Sequence, residues 1–148
     1  MARSLPMDDM NGIEFEFFLV DLFESLGYKV LNTGHSGDFG ADLIIQSNTG
    51  EKKIIQAKRY SSKVGIRAVQ EVSSAKNYYN VHNAAVITNN YFSEPAKKLA
   101  LSNNIKLIDR DRLNHLITKS EQKRTENNIS HKSKSNKKKE FFARLLNI

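Results

Sequence analysis

The sequence predicts an α/β domain in which a central mixed β-sheet carries helices on both faces and a basic tail follows. Three observations predict it. The apolar runs Leu43 to Gln46 and Ile54 to Ala57 are joined by Asn48, Thr49 and Gly50, residues that make a tight hairpin turn. An amphipathic helical stripe precedes the hairpin. After it, helical stretches alternate with short apolar runs, a pattern that implies right-handed crossovers and parallel pairing.

Taken in order, residues 1 to 8 carry no pattern. From about Asp9 to Leu26, residues Phe15, Phe18, Leu19, Leu22, Phe23 and Leu26 share one helical face. Asp8 or Asp9 is placed to cap this helix and Gly27 to end it. Glu16 sits at the edge of the apolar stripe, above Val20 and Phe23, where a carboxylate either reaches inward or turns to water. Tyr28 to Asn32 reads as a strand, and Thr33 to Gly40 as a loop with three glycines.

The hairpin follows. With its turn centred on Thr49, residues whose numbers sum to 98 oppose each other, so Asp42 faces Gln56. Lys58 shares the Gln56 face because strand side chains alternate. A bulge at Gly50 would shift this register.

Beyond a polar loop, Tyr60 to Val64, a second helix is predicted over 65–80 with Ile66, Val69, Val72, Ala75 and Tyr79 facing the core. Ala84 to Thr88 is a continuous apolar run, as in a strand covered on both faces. Ser93 is a helix cap and Pro95 fits a first turn, with Leu99 and Ala100 on the core side and an end near Asn103. Ile105 to Ile108 makes the last strand, and Asp109 to Ile117 a final short helix.

An acid, an amide and an amine on one face of an apolar hairpin admit two readings. Either Asp42, Gln56 and Lys58 face water, or they form a metal-phosphate site. In the second case the carboxylate and the amide oxygen hold a hard cation beside an ammonium that stabilises phosphate charge.

Asp42, thirteen residues, then Gln56-Ala57-Lys58 resembles the D…(E/Q)xK signature of the PD-(D/E)XK nuclease superfamily. It is most similar to the catalytic domain of Mrr-type (type IV) restriction endonucleases, which commonly carry Gln where most of the superfamily has Glu. The flanking residues fit in order: Phe15-Glu16, Gly27-Tyr28, Ser36-Gly37-Asp38, Gly40, Arg59-Tyr60, Thr88-Asn89, Phe92, Ala96 and Ala100. The likeness spans roughly Asn11 to Ile117.

The resemblance implies a restriction-endonuclease-like fold over 9–118 and a metal-dependent endonuclease that hydrolyses phosphodiester bonds in DNA. It implies Mg²⁺, with Mn²⁺ as a substitute, held by Asp42, Gln56 and Glu16. Glu16 would supply the carboxylate that Gln56 lacks, and Lys58 would assist the attacking water. Arg59, Lys63 and Gln70 are candidate nucleic-acid contacts alongside Lys58, and Asp38 is a secondary candidate for the metal or the loop. Two alternatives stay open: a Holliday-junction resolvase-like nuclease, and a non-catalytic DNA-binding module with a degenerate site.

Bulk properties bound the rest. The net charge is +7, and residues 119–148 carry nine Lys or Arg against three Glu, so the body is nearly neutral and the tail is basic. Such a tail, with Lys137, Lys138 and Lys139, binds a phosphate backbone without sequence preference or simply keeps the chain soluble. Its composition of Lys, Ser, Asn and Glu without periodicity predicts disorder over 119–148. Phe141, Phe142, Leu145, Leu146 and Ile148 end it in a short apolar cluster suited to docking on the domain, another subunit or a protein partner. The histidines, His35, His82, His115 and His131, form no cluster at ligand spacing, and with no cysteine there is neither a disulfide nor a thiolate metal site. No apolar run is long enough for a membrane span, so a cytoplasmic location is expected. Cutting both strands of a duplex needs two sites, which predicts a homodimer if duplexes are cut.

Overall fold

The computed structural model describes residues 6–31 and 40–145. Asp38, His35, Leu146 and Ile148 lie outside the described residues. A 3-10 turn, Pro6–Asp9, leads into α1 (Gly12–Ser25) and β1 (Lys29–Leu31). Then come β2 (Leu43–Gln46), β3 (Lys52–Lys58), α2 (Ile66–Tyr79), β4 (Asn83–Thr88), α3 (Glu94–Asn103), β5 (Lys106–Ile108) and α4 (Arg110–Leu145).

The five strands of the described residues form one sheet in sequence order. β1, β2 and β3 pair antiparallel, whereas β4 and β5 add in parallel through the crossover helices α2 and α3. Leu43 opposes Ile55 and Ile44 opposes Ile54, so the hairpin has the predicted register. Its turn closes with Gly50 at φ +88°, a conformation costly for any residue with a Cβ.

Strand alternation divides the core in two. Ile54, Ala84 and Val86 pack under α2 and α3 with Ala68, Val69, Val72, Ala75, Ala96 and Ala100. Leu43, Ile45, Ile55, Ala85 and Ile87 pack under α1 and α4 with Phe15, Leu19, Leu22, Phe23 and Leu113. Gln56 and Lys58 have the parity of Ile54 and therefore face α2.

Three expectations need correction. The first helix starts at Gly12 with Asn11, not Asp8 or Asp9, as its cap. Asn11 Oδ1 accepts from the Glu14 N–H at 2.8 Å and Glu14 Oε1 accepts from the Asn11 N–H at 3.1 Å, a reciprocal pair that one aspartate cannot make alone. In the second helix Ile66 is exposed and Ala68 takes its core place, because Gly65 caps the helix and turns its first residue outward. The largest departure is α4, which passes Ile117 without a break and stays helical to Leu145 where disorder was predicted. Its sequence has no Gly or Pro to stop it, and Lys, Arg, Gln and Glu are good helix formers. Its early turns also dock on α1: Ser120 is buried and hydrogen-bonds Ser25, Lys123 Nζ donates to the Leu26 carbonyl at 3.1 Å, and Arg124 pairs with Asp21 at 2.7 Å. From Arg124 on, every described side chain is exposed.

Asp8, freed from capping, ties the two ends of the domain. Both its carboxylate oxygens accept from Arg110, at 2.7 and 2.9 Å, and its backbone carbonyl accepts from Arg59 at 3.2 Å. Asn89 Nδ2 also reaches Asp8 Oδ1, while Asn89 Oδ1 accepts from the Tyr60 N–H at 2.8 Å. Asp8→Ala removes the bidentate partner of the largely buried Arg110 guanidinium and should cost about 2 kcal/mol in urea unfolding. A loss below about 0.5 kcal/mol would show the bidentate pair to be no stronger than a surface bridge.

Candidate active site

The carboxyl ends of β3 and β4 and the amino end of β2 meet at one edge of the sheet, where an open cleft of about 440 Å³ lies between α1 and α2. Gly12, Glu16, Gly40, Asp42, Gln56 and Lys58 line it, with Ala57, Arg59, Tyr60 and Glu71. Crevices at the carboxyl ends of strands are where open α/β sheets build binding sites.

Backbone pairing fixes the two chain segments that matter. The Asp42 N–H donates to the Ile55 carbonyl at 2.9 Å, and Asp42 Oδ2 accepts from the Ala57 N–H at 2.7 Å. The carboxylate is thus bolted to the strand that carries Gln56 and Lys58. Gly40 sets the entry to β2: its φ is +78°, and a Cβ there would stand 2.2 Å from the Glu71 carbonyl oxygen. Lys58 Nζ lies 3.1 Å from Glu71 Oε2 and 6.0 Å from the centre of the Tyr60 ring. Gln56 is almost fully buried; its Nε2 donates to Glu71 Oε2 at 3.0 Å, and its Oε1 is buried without a hydrogen-bond partner among the described residues.

Glu16 reaches the cleft from α1. Burial, then the neighbouring Asp42 charge and a hydrogen bond between the two carboxyl groups, push its pKa up to about 7. The Asp42 carboxyl is also raised, chiefly by burial, against the lowering effects of the Ala57 N–H and the Lys58 ammonium. Two carboxyl groups side by side in one cleft carry negative charge that a bound cation would offset.

A stability prediction follows. Because the folded-state pKa of Glu16 lies above its unfolded value, the stabilising protonated form is complete below about pH 4.5 and lost as pH rises to about 7. In EDTA, melting temperature should therefore fall across pH 5 to 7.5 through this group. Glu16→Gln should flatten that slope, and an unchanged slope would remove Glu16 as its source.

The structure brings together Asp42, Gln56, Lys58 and Glu16, with Arg59 beside them. Lys63 and Gln70 are exposed and do not line the cleft, and Lys137, Lys138 and Lys139 ride on the exposed part of α4. Gln70 therefore yields its place to Glu71, the next residue round α2, which sequence reasoning passed over. A signal for it existed. Gln56 and Lys58 point toward α2 by strand parity, and Glu71 is the sole acid in that helix.

Among the described residues no three His, Cys, Asp or Glu side chains converge as a metal cage. Two carboxylates with an amide oxygen nevertheless suit Mg²⁺, which keeps several waters and takes few protein ligands. The partnerless Gln56 Oε1 is the kind of buried acceptor that such a cation satisfies.

The family of restriction endonucleases defined by the Mrr catalytic domain matches residues 7–117. No curated protein matches. Among solved structures, the DNA modification-dependent restriction endonuclease AspBHI superposes with a TM-score of 0.55 at 17% identity, over 78% of this chain and 36% of that one. A protein of unknown function, AF1548, gives 0.54 at 19% identity over 67% and 58%. EndoMS in its apo form gives 0.53 at 16% over 68% and 46%. These likenesses establish a shared restriction-endonuclease-like fold, and the chain spans between about a third and three-fifths of the structures it resembles.

Proposed function

Since the chain belongs to the Mrr-type restriction endonuclease family and carries its nuclease domain, we propose that it is a Mg²⁺-dependent endonuclease that hydrolyses phosphodiester bonds in DNA. The observation that carries this reading is the convergence of Glu16, Asp42, Gln56 and Lys58 in one cleft, with the Gln56 Oε1 left for a cation. Asp42, Glu16 and Gln56 Oε1 would hold the ion. When bound, Mg²⁺ supplies Lewis-acid stabilisation of phosphate charge and makes water easier to deprotonate.

The chain's own groups do the rest. Asp42 is held by the Ala57 N–H, so its carboxylate faces the cleft without having to reorganise. Lys58 Nζ, steadied by Glu71 and Tyr60, donates to the scissile phosphate and neutralises the charge that grows as water adds to phosphorus and the P–O ester bond breaks. Arg59 and Tyr60 at the rim hold the flanking backbone. The basic residues of α4, Lys137 to Lys139 among them, add sequence-independent affinity that weakens with salt. Duplex cleavage by a chain with one such cleft calls for a homodimer, and the absence of cysteine suits a reducing cytoplasm.

The test is incubation with supercoiled plasmid, linear duplex and a four-way junction in Mg²⁺ or EDTA. Mg²⁺-dependent cleavage of the plasmid and the duplex is expected. Selective cutting of the junction would replace restriction with resolution, and salt-sensitive binding without any cutting would leave a DNA-binding module.

A further inference from the structure

Gln56 Nε2 and Lys58 Nζ converge on a single oxygen, Glu71 Oε2, at 3.0 and 3.1 Å, while Glu71 Oε1 takes Arg67 Nε at 3.3 Å. An ionised carboxylate only accepts, so the Gln56 nitrogen must face Glu71 and the Gln56 oxygen must face away. That oxygen is the buried, partnerless atom of the cleft. Without Glu71 the amide loses the acceptor that fixes this orientation. A glutamate at position 56 would meet Glu71 as a second carboxylate at hydrogen-bond range, an unfavourable pairing unless one is protonated.

From this we infer that Glu71 is a positioning residue for the reaction, and that glutamine at 56 and glutamate at 71 work as one unit. Glu71 turns the amide so that its oxygen meets the cation and sets the Lys58 ammonium beside it. The inference rests on the nuclease reading above and adds a residue to it.

The experiment titrates Mn²⁺ into the full chain, following free Mn²⁺ by electron paramagnetic resonance, and measures plasmid cleavage and DNA binding on the same preparations. Glu71→Ala is expected to weaken Mn²⁺ binding at least tenfold and lower kcat by a similar factor, with the DNA concentration for half-saturation unchanged. The exchange Gln56→Glu/Glu71→Gln keeps the charge and the hydrogen bond while moving the carboxylate to the strand. It should restore Mn²⁺ affinity to the wild-type level or above, whereas Gln56→Glu alone should lower the melting temperature in EDTA.

Wild-type Mn²⁺ affinity in Glu71→Ala overturns the inference and leaves the nuclease standing. So does an exchange variant that is folded yet binds Mn²⁺ at least tenfold more weakly than wild type, a comparison that holds even where a single variant does not fold. A wild-type protein that neither binds Mn²⁺ nor cuts removes the nuclease reading itself, and the role of Glu71 with it.

Discussion

Lys58→Ala is expected to lower single-turnover cleavage of supercoiled plasmid by about a thousandfold, the scale of losing one preorganised charge donor at a reacting phosphate. The fold should survive it. Lys58 is held by an ion pair and an aromatic face at the rim, and Glu71 keeps Gln56 and Arg67 as partners once the amine is gone. An ion pair that remains partly wet contributes at most about 1 kcal/mol, so the melting temperature should move by no more than a few degrees. DNA affinity in Ca²⁺ should drop only a few-fold, since one phosphate contact among many is lost. Cleavage in Lys58→Ala at a tenth of the wild-type rate or more would take the chemistry away from this residue.

Among the glycines of the described residues, Gly40 is the one where a substitution to alanine should be most disruptive. At φ +78° alanine pays the left-handed penalty, and its methyl would stand 2.2 Å from the Glu71 carbonyl oxygen, a backbone atom that cannot swing aside. Together these cost roughly 3 kcal/mol or more, about 10 °C in melting temperature for a chain of this size. The damage is also chemical, because relief of the clash must move either α2 or the entry to β2, and so separates Glu71 from Gln56 or Asp42 from Ala57. Cleavage should therefore fall well beyond the fraction unfolded at the assay temperature. Gly50→Ala is the control: Gly50 also has positive φ, but its nearest neighbour is a side-chain atom 4.0 Å away and the turn is remote from the cleft. Equal losses of activity in both variants would show that Gly40 matters for its φ alone.

The hairpin was legible in the sequence because turn chemistry and strand parity are both local, and together they place Asp42 opposite Gln56 with Lys58 on the same side. The cap and the Pro95 turn of α3 were legible for the same reason. Glu16 was half legible, since helical angle put it at the edge of the stripe but could not say which way it turns. What decides that is the tertiary approach of Asp42, to which its carboxyl group hydrogen-bonds. Glu71 escaped because its partners lie 13 and 15 residues back on a strand, and helix periodicity ranks it as an edge position like Gln70. The start of α1 escaped because three cap-competent residues, Asp8, Asp9 and Asn11, stand close together, and only the return bond from Glu14 selects the last. The length of α4 escaped because most of that helix carries no apolar stripe. Where little of a helix is buried, the absence of stop residues and the intrinsic propensity decide.

That last helix bears on how the protein should be sized. From Arg124 to Leu145 it leaves the body and extends for about 30 Å at ~1.5 Å per residue, a rod attached to a domain of similar diameter. Friction depends on shape as well as mass, so a monomer of 16.8 kDa will run ahead of globular standards on a sizing column. An early elution peak is therefore no sign of pairing. Light scattering or sedimentation equilibrium, which weigh the particle whatever its outline, are the measurements that can count its chains.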